Sequence, residues 1–130
     1  MRLYSVAIAS LAVGAPVKWT DNLLAHHQIP EVRSRSRGSA RGVTWAALVR
    51  IALVRELHVR IGSGIREAVA LADSLIRASG TVSLGERLSL RVELTELERD
   101  LRQRLADALE SAPRPRRGRP PRNPAAARSG

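Results

Sequence analysis

The chain has 130 residues, 22 Lys+Arg against 12 Asp+Glu, and no cysteine, which allows one small domain and a tail. Without cysteine there is no disulfide scaffold, no CxxC redox pair and no thiolate metal site. Three aromatic residues (Tyr4, Trp19, Trp45) and no Phe leave the core to Leu, Val, Ile and Ala, a composition that favours helices.

The formal charge of +10 is unevenly placed: residues 1–78 carry +6, residues 79–112 carry −2 and residues 113–130 carry +6. All the cations but Lys18 are arginine. Arginine's planar five-donor fork suits phosphate and base edges, so the balance is compatible with a nucleic-acid partner. A GC-rich genome produces the same bias with no function attached.

The N-terminal run Leu3 to Val13 after Arg2 has the outline of a signal peptide. Ser5 and Ser10 interrupt it, a single cation precedes it, and a cut after Ala15 would leave Pro16 at the new N-terminus. The expected location is therefore cytoplasmic and nucleoid-associated. No stretch approaches the roughly 20 apolar residues that a membrane span needs.

Taken in order, residues 5–13 predict a short helix capped by Ser5, with Val6, Ala9 and Val13 on one face. Gly14-Ala15-Pro16 breaks it, and a second helix runs from 17 to 28. Its inward positions are Trp19 or Thr20, Leu23 and His27, leaving Lys18, Asp21, Asn22 and His26 outward. Ile29-Pro30 stops it. Two short helices across a three-residue break have the outline of a helix-turn-helix.

Residues 33–42 hold four arginines, two glycines and three serines, and predict a loop or β-ribbon. Thr44 caps a helix to about Arg60, Ile61-Gly62-Ser63-Gly64 breaks it, and a fourth helix runs from Ile65 to about Ser79. Then the period changes to two. Val82, Leu84, Leu88, Leu90, Val92 and Leu94 alternate with polar residues, and predict a β-hairpin over 81–94 turning at Gly85-Glu86. The competing parse, a helix opened by Ser83 and Glu86, fits the alternation less well. Thr95 and Glu98 then form a capping box for an amphipathic helix to Ser111, with Leu97, Leu101 and Leu105 on its stripe. Residues 113–130 are arginine, proline and small residues, expected to be disordered in isolation.

This order resembles the winged helix-turn-helix domain of MerR-like transcription regulators, over about residues 4–77. The resemblance is carried by Tyr4-Ser5-Val6, by Gly14 at the turn, by Arg37 to Gly42 in the wing position and above all by Ala47 to Leu75. It implies a mainly helical DNA-binding domain at 1–78. Two departures stand out. Trp19 to Leu24 and His26 to Pro30 replace the arginine, paired aromatics and Gly-Leu exit usual in the family's second helix, so its base-reading residues do not carry across. The hairpin and helix of 79–112 do not match the family's long coiled coil.

On chemistry alone, Lys18 and Asn22 lie at i, i+4 on one helix face, where Asn can take an adenine edge and Lys guanine or phosphate. Asp21 beside them repels phosphate or accepts from cytosine's amino group. Arg33, Arg35 and Arg37 alternate along one side of an extended segment and, with Arg41, suit a phosphate row or a minor groove. In the tail, Arg117-Gly118-Arg119-Pro120 resembles the core of an AT-hook, in which glycine lets the backbone sit on the minor-groove floor while the arginines extend along it.

No catalytic constellation emerges, and neither a metal nor another cofactor is expected. His26 and His27 are adjacent and diverge on a helix, and His58 lies among apolar residues with no acid at ligand spacing. Ser63-Gly64 lacks the glycines and lysine of a phosphate loop. The expectation is a small, non-enzymatic bacterial DNA-binding protein that binds duplex DNA as a homodimer, with no membrane partner. In it 79–112 pairs subunits through Leu97, Leu101 and Leu105, and 113–130 is a basic tail. The alternative is a protein-interaction module, an antitoxin or adaptor, whose basic segments only tether it to nucleic acid.

Overall fold

A computed structural model describes residues 2–30, 32–34 and 41–111, the side chains of Arg33 and Ser34 excepted. The described chain is mainly helical, with five helices and two small antiparallel hairpins.

α1 (Val6–Val13) opens where the Ser5 hydroxyl accepts from the Ile8 N–H at 3.1 Å. It closes at Gly14, whose φ of +80° is left-handed backbone that glycine adopts without a Cβ penalty. α2 (Val17–His26) follows Pro16 and is two residues shorter than its pattern predicts, because His27 is already extended ahead of Ile29-Pro30. β1 (Val32–Ser34) pairs antiparallel with β2 (Arg41–Val43), Arg33 lying opposite Gly42. Thr44 caps α3 (Trp45–Ile61) by accepting from the Ala47 N–H at 3.2 Å, Gly62 ends it, and α4 (Ile65–Arg77) returns along it.

The alternating segment is a hairpin and not a helix: β3 (Thr81–Ser83) pairs with β4 (Ser89–Arg91). Its turn is wider than Gly85-Glu86 alone. The Leu84 N–H donates to the Leu88 carbonyl at 2.7 Å, so residues 85–87 lie inside the closing bond. α5 (Leu94–Ser111) begins one residue ahead of the expected cap, and Thr95 falls within its first turn.

α3 is the central element. Leu48, Ile51, Leu53 and Val54 are fully buried although they point to different sides, because α4, α1 and α5 all pack on it. Arg50 on α3 reaches Asp73 on α4 at 2.8 Å, and Arg77 holds the same carboxylate at 2.9 Å.

The leucine stripe of α5, expected to pair subunits, packs within the chain. Leu101 and Leu105 are 2% and 7% exposed and belong to one core with Ala9 and Ala12 of α1, while Leu97 packs half-buried against it. α5 lies along α1 and covers the face that α2 and α3 leave open. Burying each leucine contributes roughly 1.5–3 kcal/mol, available within the chain with no second copy. Arg102 on α5 sits 4.7 Å over the Trp45 ring and pins the helix to the start of α3. Among the described residues, no helix is long and apolar enough to cross a membrane.

Candidate nucleic-acid interface

The α1–turn–α2 unit is fixed from inside. Thr20 and Leu23 are the buried residues of α2, and helical geometry then turns Lys18, Asp21, Asn22 and His26 outward, where all four are exposed. The Ser10 hydroxyl donates to Thr20 Oγ1 at 2.8 Å across the two helices, and Thr20 in turn donates to the Pro16 carbonyl at 3.4 Å. A second clasp holds α2 to α3. The Arg55 guanidinium lies 4.9 Å from the centre of the half-buried Trp19 ring, and the His58 ring lies 6.3 Å from it. His58 Nδ1 is itself 2.8 Å from the Ser63 carbonyl at the α3–α4 break.

The β1–β2 ribbon is anchored at its base. Tyr4 and Val43 exchange both backbone bonds, at 2.8 and 2.9 Å, so the chain entering α1 adds a short third rung to the ribbon. Gly42 admits Leu3, since a Cβ there would lie 2.9 Å from the Leu3 side chain. Arg41 Nη1 lies 3.7 Å from Asp21 Oδ1, with the two side chains 36% and 52% exposed. An exposed pair at this distance contributes little stability, about 0–1 kcal/mol. Its consequence is positional: the first residue of β2 is next to the outward face of α2.

Of the residues singled out in the sequence, Lys18, Asn22 and Arg41 therefore come to one side of the molecule, with Asp21 between them. Arg33 is placed by its backbone alone, on β1 opposite Gly42. Arg35 and Arg37 lie outside the described residues, as do Arg117, Gly118, Arg119 and Pro120 of the tail. Leu101 and Leu105 are interior.

The Asp21–Arg41 pair and the Trp19–Arg55–His58 cluster escaped the sequence reading, since their members are far apart along the chain and no periodicity links them. The one available signal was a tryptophan on a helix with too few inward positions to bury it. Among the described residues, no group of three or more His, Asp or Glu side chains is arranged to hold a metal ion. Compared with protein-family models, with curated proteins and with solved structures, the chain matches none.

Proposed function

We propose that the protein is a small bacterial DNA-binding transcription regulator, with the α1–turn–α2 unit and the β1–β2 ribbon forming a MerR-like winged helix-turn-helix. In this reading α2 enters the major groove, Asn22 takes an adenine edge and Lys18 takes guanine or phosphate. Arg33, Arg35, Arg37 and Arg41 hold the adjoining phosphates or minor groove, and Arg117 to Pro120 occupy a further A·T-rich minor groove. The mechanism is non-enzymatic.

The observation that carries the reading is the Arg41–Asp21 contact, which sets the end of the basic ribbon away from its Val43 base beside the polar face of α2, so that one duplex could meet both. Support also comes from the buried Ser10–Thr20 bond, which fixes the angle of α2 and gives a reading helix the rigid mount it needs.

The test is selection of bound fragments from random duplex DNA, followed by salt titration of the enriched sequence. The expected result is an enriched motif, a steep salt slope, and a motif that survives deletion of 113–130 while the slope falls. No enrichment, together with loss of all binding on deletion of the tail, overturns the reading. A protein-interaction module is favoured by one feature, the hairpin tip, where Leu84 and Leu88 are 43% and 65% exposed. Charged substitutions at both leucines discriminate the two, because they leave DNA selection unchanged in a regulator and abolish partner capture in an adaptor.

A further inference from the structure

Between α3 and α5 lies a cleft of about 280 Å³, floored by apolar side chains that include Val13, Val92 and Leu97. Its two walls differ in charge. α3 presents Arg55 and Arg60, and α5 presents Glu96 and Asp100, one helical turn apart on the same face, with Arg104 a further turn along, its guanidinium beside Gly14 at the end of α1. Glu56 and Glu93 also line the cleft, but each is held by an arginine of its own segment, Arg60 at 3.5 Å and Arg91 at 2.7 Å. Among the described residues no ion pair joins one wall to the other, and Glu96 and Asp100 have no cationic partner.

Opposite charges facing each other over an apolar floor are the complement of a small molecule that carries both charges on an apolar body. The volume suits one such molecule, lying at the small end of ligand sites.

We infer that this cleft binds a free α-amino acid with an aliphatic side chain. Its carboxylate meets Arg55 and Arg60, its ammonium meets Glu96 and Asp100, and its side chain lies on the apolar floor. Each contact is a charge-assisted hydrogen bond shielded on one side by apolar surface, where such bonds are strongest. The cleft is connected to α2 through Arg55, a lining residue whose guanidinium sits over the Trp19 ring, between Lys18 and Asp21 in the sequence of α2. A carboxylate drawing on Arg55 therefore alters the clasp that holds α2. Regulation of DNA reading by this route rests on the function proposed above; occupation of the cleft does not.

The experiment is a two-dimensional amide NMR titration of the full chain, free of DNA, with L-leucine. Isocaproate, which lacks the ammonium, and isoamylamine, which lacks the carboxylate, serve as the comparison ligands. The two tryptophans give two indole signals, assigned by Trp45→Phe. Leucine is expected to shift the amides of 92–101 saturably and to move the Trp19 indole while the Trp45 indole stays. Isocaproate and isoamylamine are expected to bind at least about tenfold more weakly, and Asp100→Asn and Arg60→Gln each to weaken leucine by about tenfold with the folded spectrum retained. Three results each overturn the proposal: no saturable shift up to about 10 mM, equal binding of a singly charged analogue, or movement of the Trp45 indole in place of Trp19. Duplex affinity measured with and without leucine then separates the two readings. A chain that binds leucine but no duplex keeps the cleft and loses the regulator; the converse keeps the regulator and loses the cleft.

Discussion

Ser10 on α1 and Thr20 on α2 are 1% and 0% exposed, and the hydroxyl of the first donates to the hydroxyl of the second across 2.8 Å. In sequence Ser10 is a polar interruption of an apolar run. In the fold it is a polar bond inside the joint between two helices, at a place where an unpaired hydroxyl is costly.

The two halves of that bond are not equivalent. Ser10→Ala leaves Thr20 its Pro16 carbonyl, and is expected to cost about 1 kcal/mol, whereas Thr20→Val strands the Ser10 hydroxyl and is expected to cost about 1–3 kcal/mol. The double variant should lose less than the sum. Urea denaturation of the four proteins in the cycle measures the coupling.

α5 is expected to stabilise its own chain. Leu101→Ala should cost about 2–5 kcal/mol through the cavity it leaves against α1. Thermal unfolding reads the loss, and light scattering should show the same mass for both proteins. A fall in mass without a fall in stability would instead mark Leu101 as an intersubunit contact.

Gly80 and Gly85 share a left-handed backbone, with φ of +110° and +102°, but differ in surroundings. A Cβ on Gly80 would lie 2.6 Å from the Val92 carbonyl oxygen, whereas one on Gly85 would meet nothing within 4 Å. Gly80→Ala is expected to exceed Gly85→Ala in cost by about 1–3 kcal/mol, because it adds overlap and strains the bond between the Val92 N–H and the Gly80 carbonyl. The difference between the two melting temperatures checks this with the backbone cost common to both.

On the proposed DNA face, three substitutions on α2 should separate by kind. Lys18→Ala is expected to weaken all duplexes alike and to lower the salt slope by about one. Asn22→Ala should cost about 1–3 kcal/mol on the preferred sequence and relax the preference. Asp21→Asn removes a negative charge and frees Arg41, so affinity should rise and the salt slope steepen. Fluorescence anisotropy over a salt series, on preferred and scrambled duplexes, distinguishes the three.

Local chemistry alone was enough to read most element boundaries. Ser5, Gly14, Thr44 and Gly62 cap or close helices because a side-chain oxygen or a missing Cβ acts within one turn. The period-two run over 81–94 likewise fixed a hairpin, since alternation belongs to the backbone itself. The outward set Lys18, Asp21, Asn22 and His26 followed from Leu23 and its neighbours in the same way. Tertiary packing decided which apolar stripe meets which. Leu101 and Leu105 read as a surface awaiting a partner, and only the open side of α1 could make them interior. The placement of Arg41 against Asp21, of Arg55 over Trp19, and of two oppositely charged walls across one cleft depends on contacts between segments remote in sequence. A one-dimensional pattern records which side of an element is apolar, but not what will cover it.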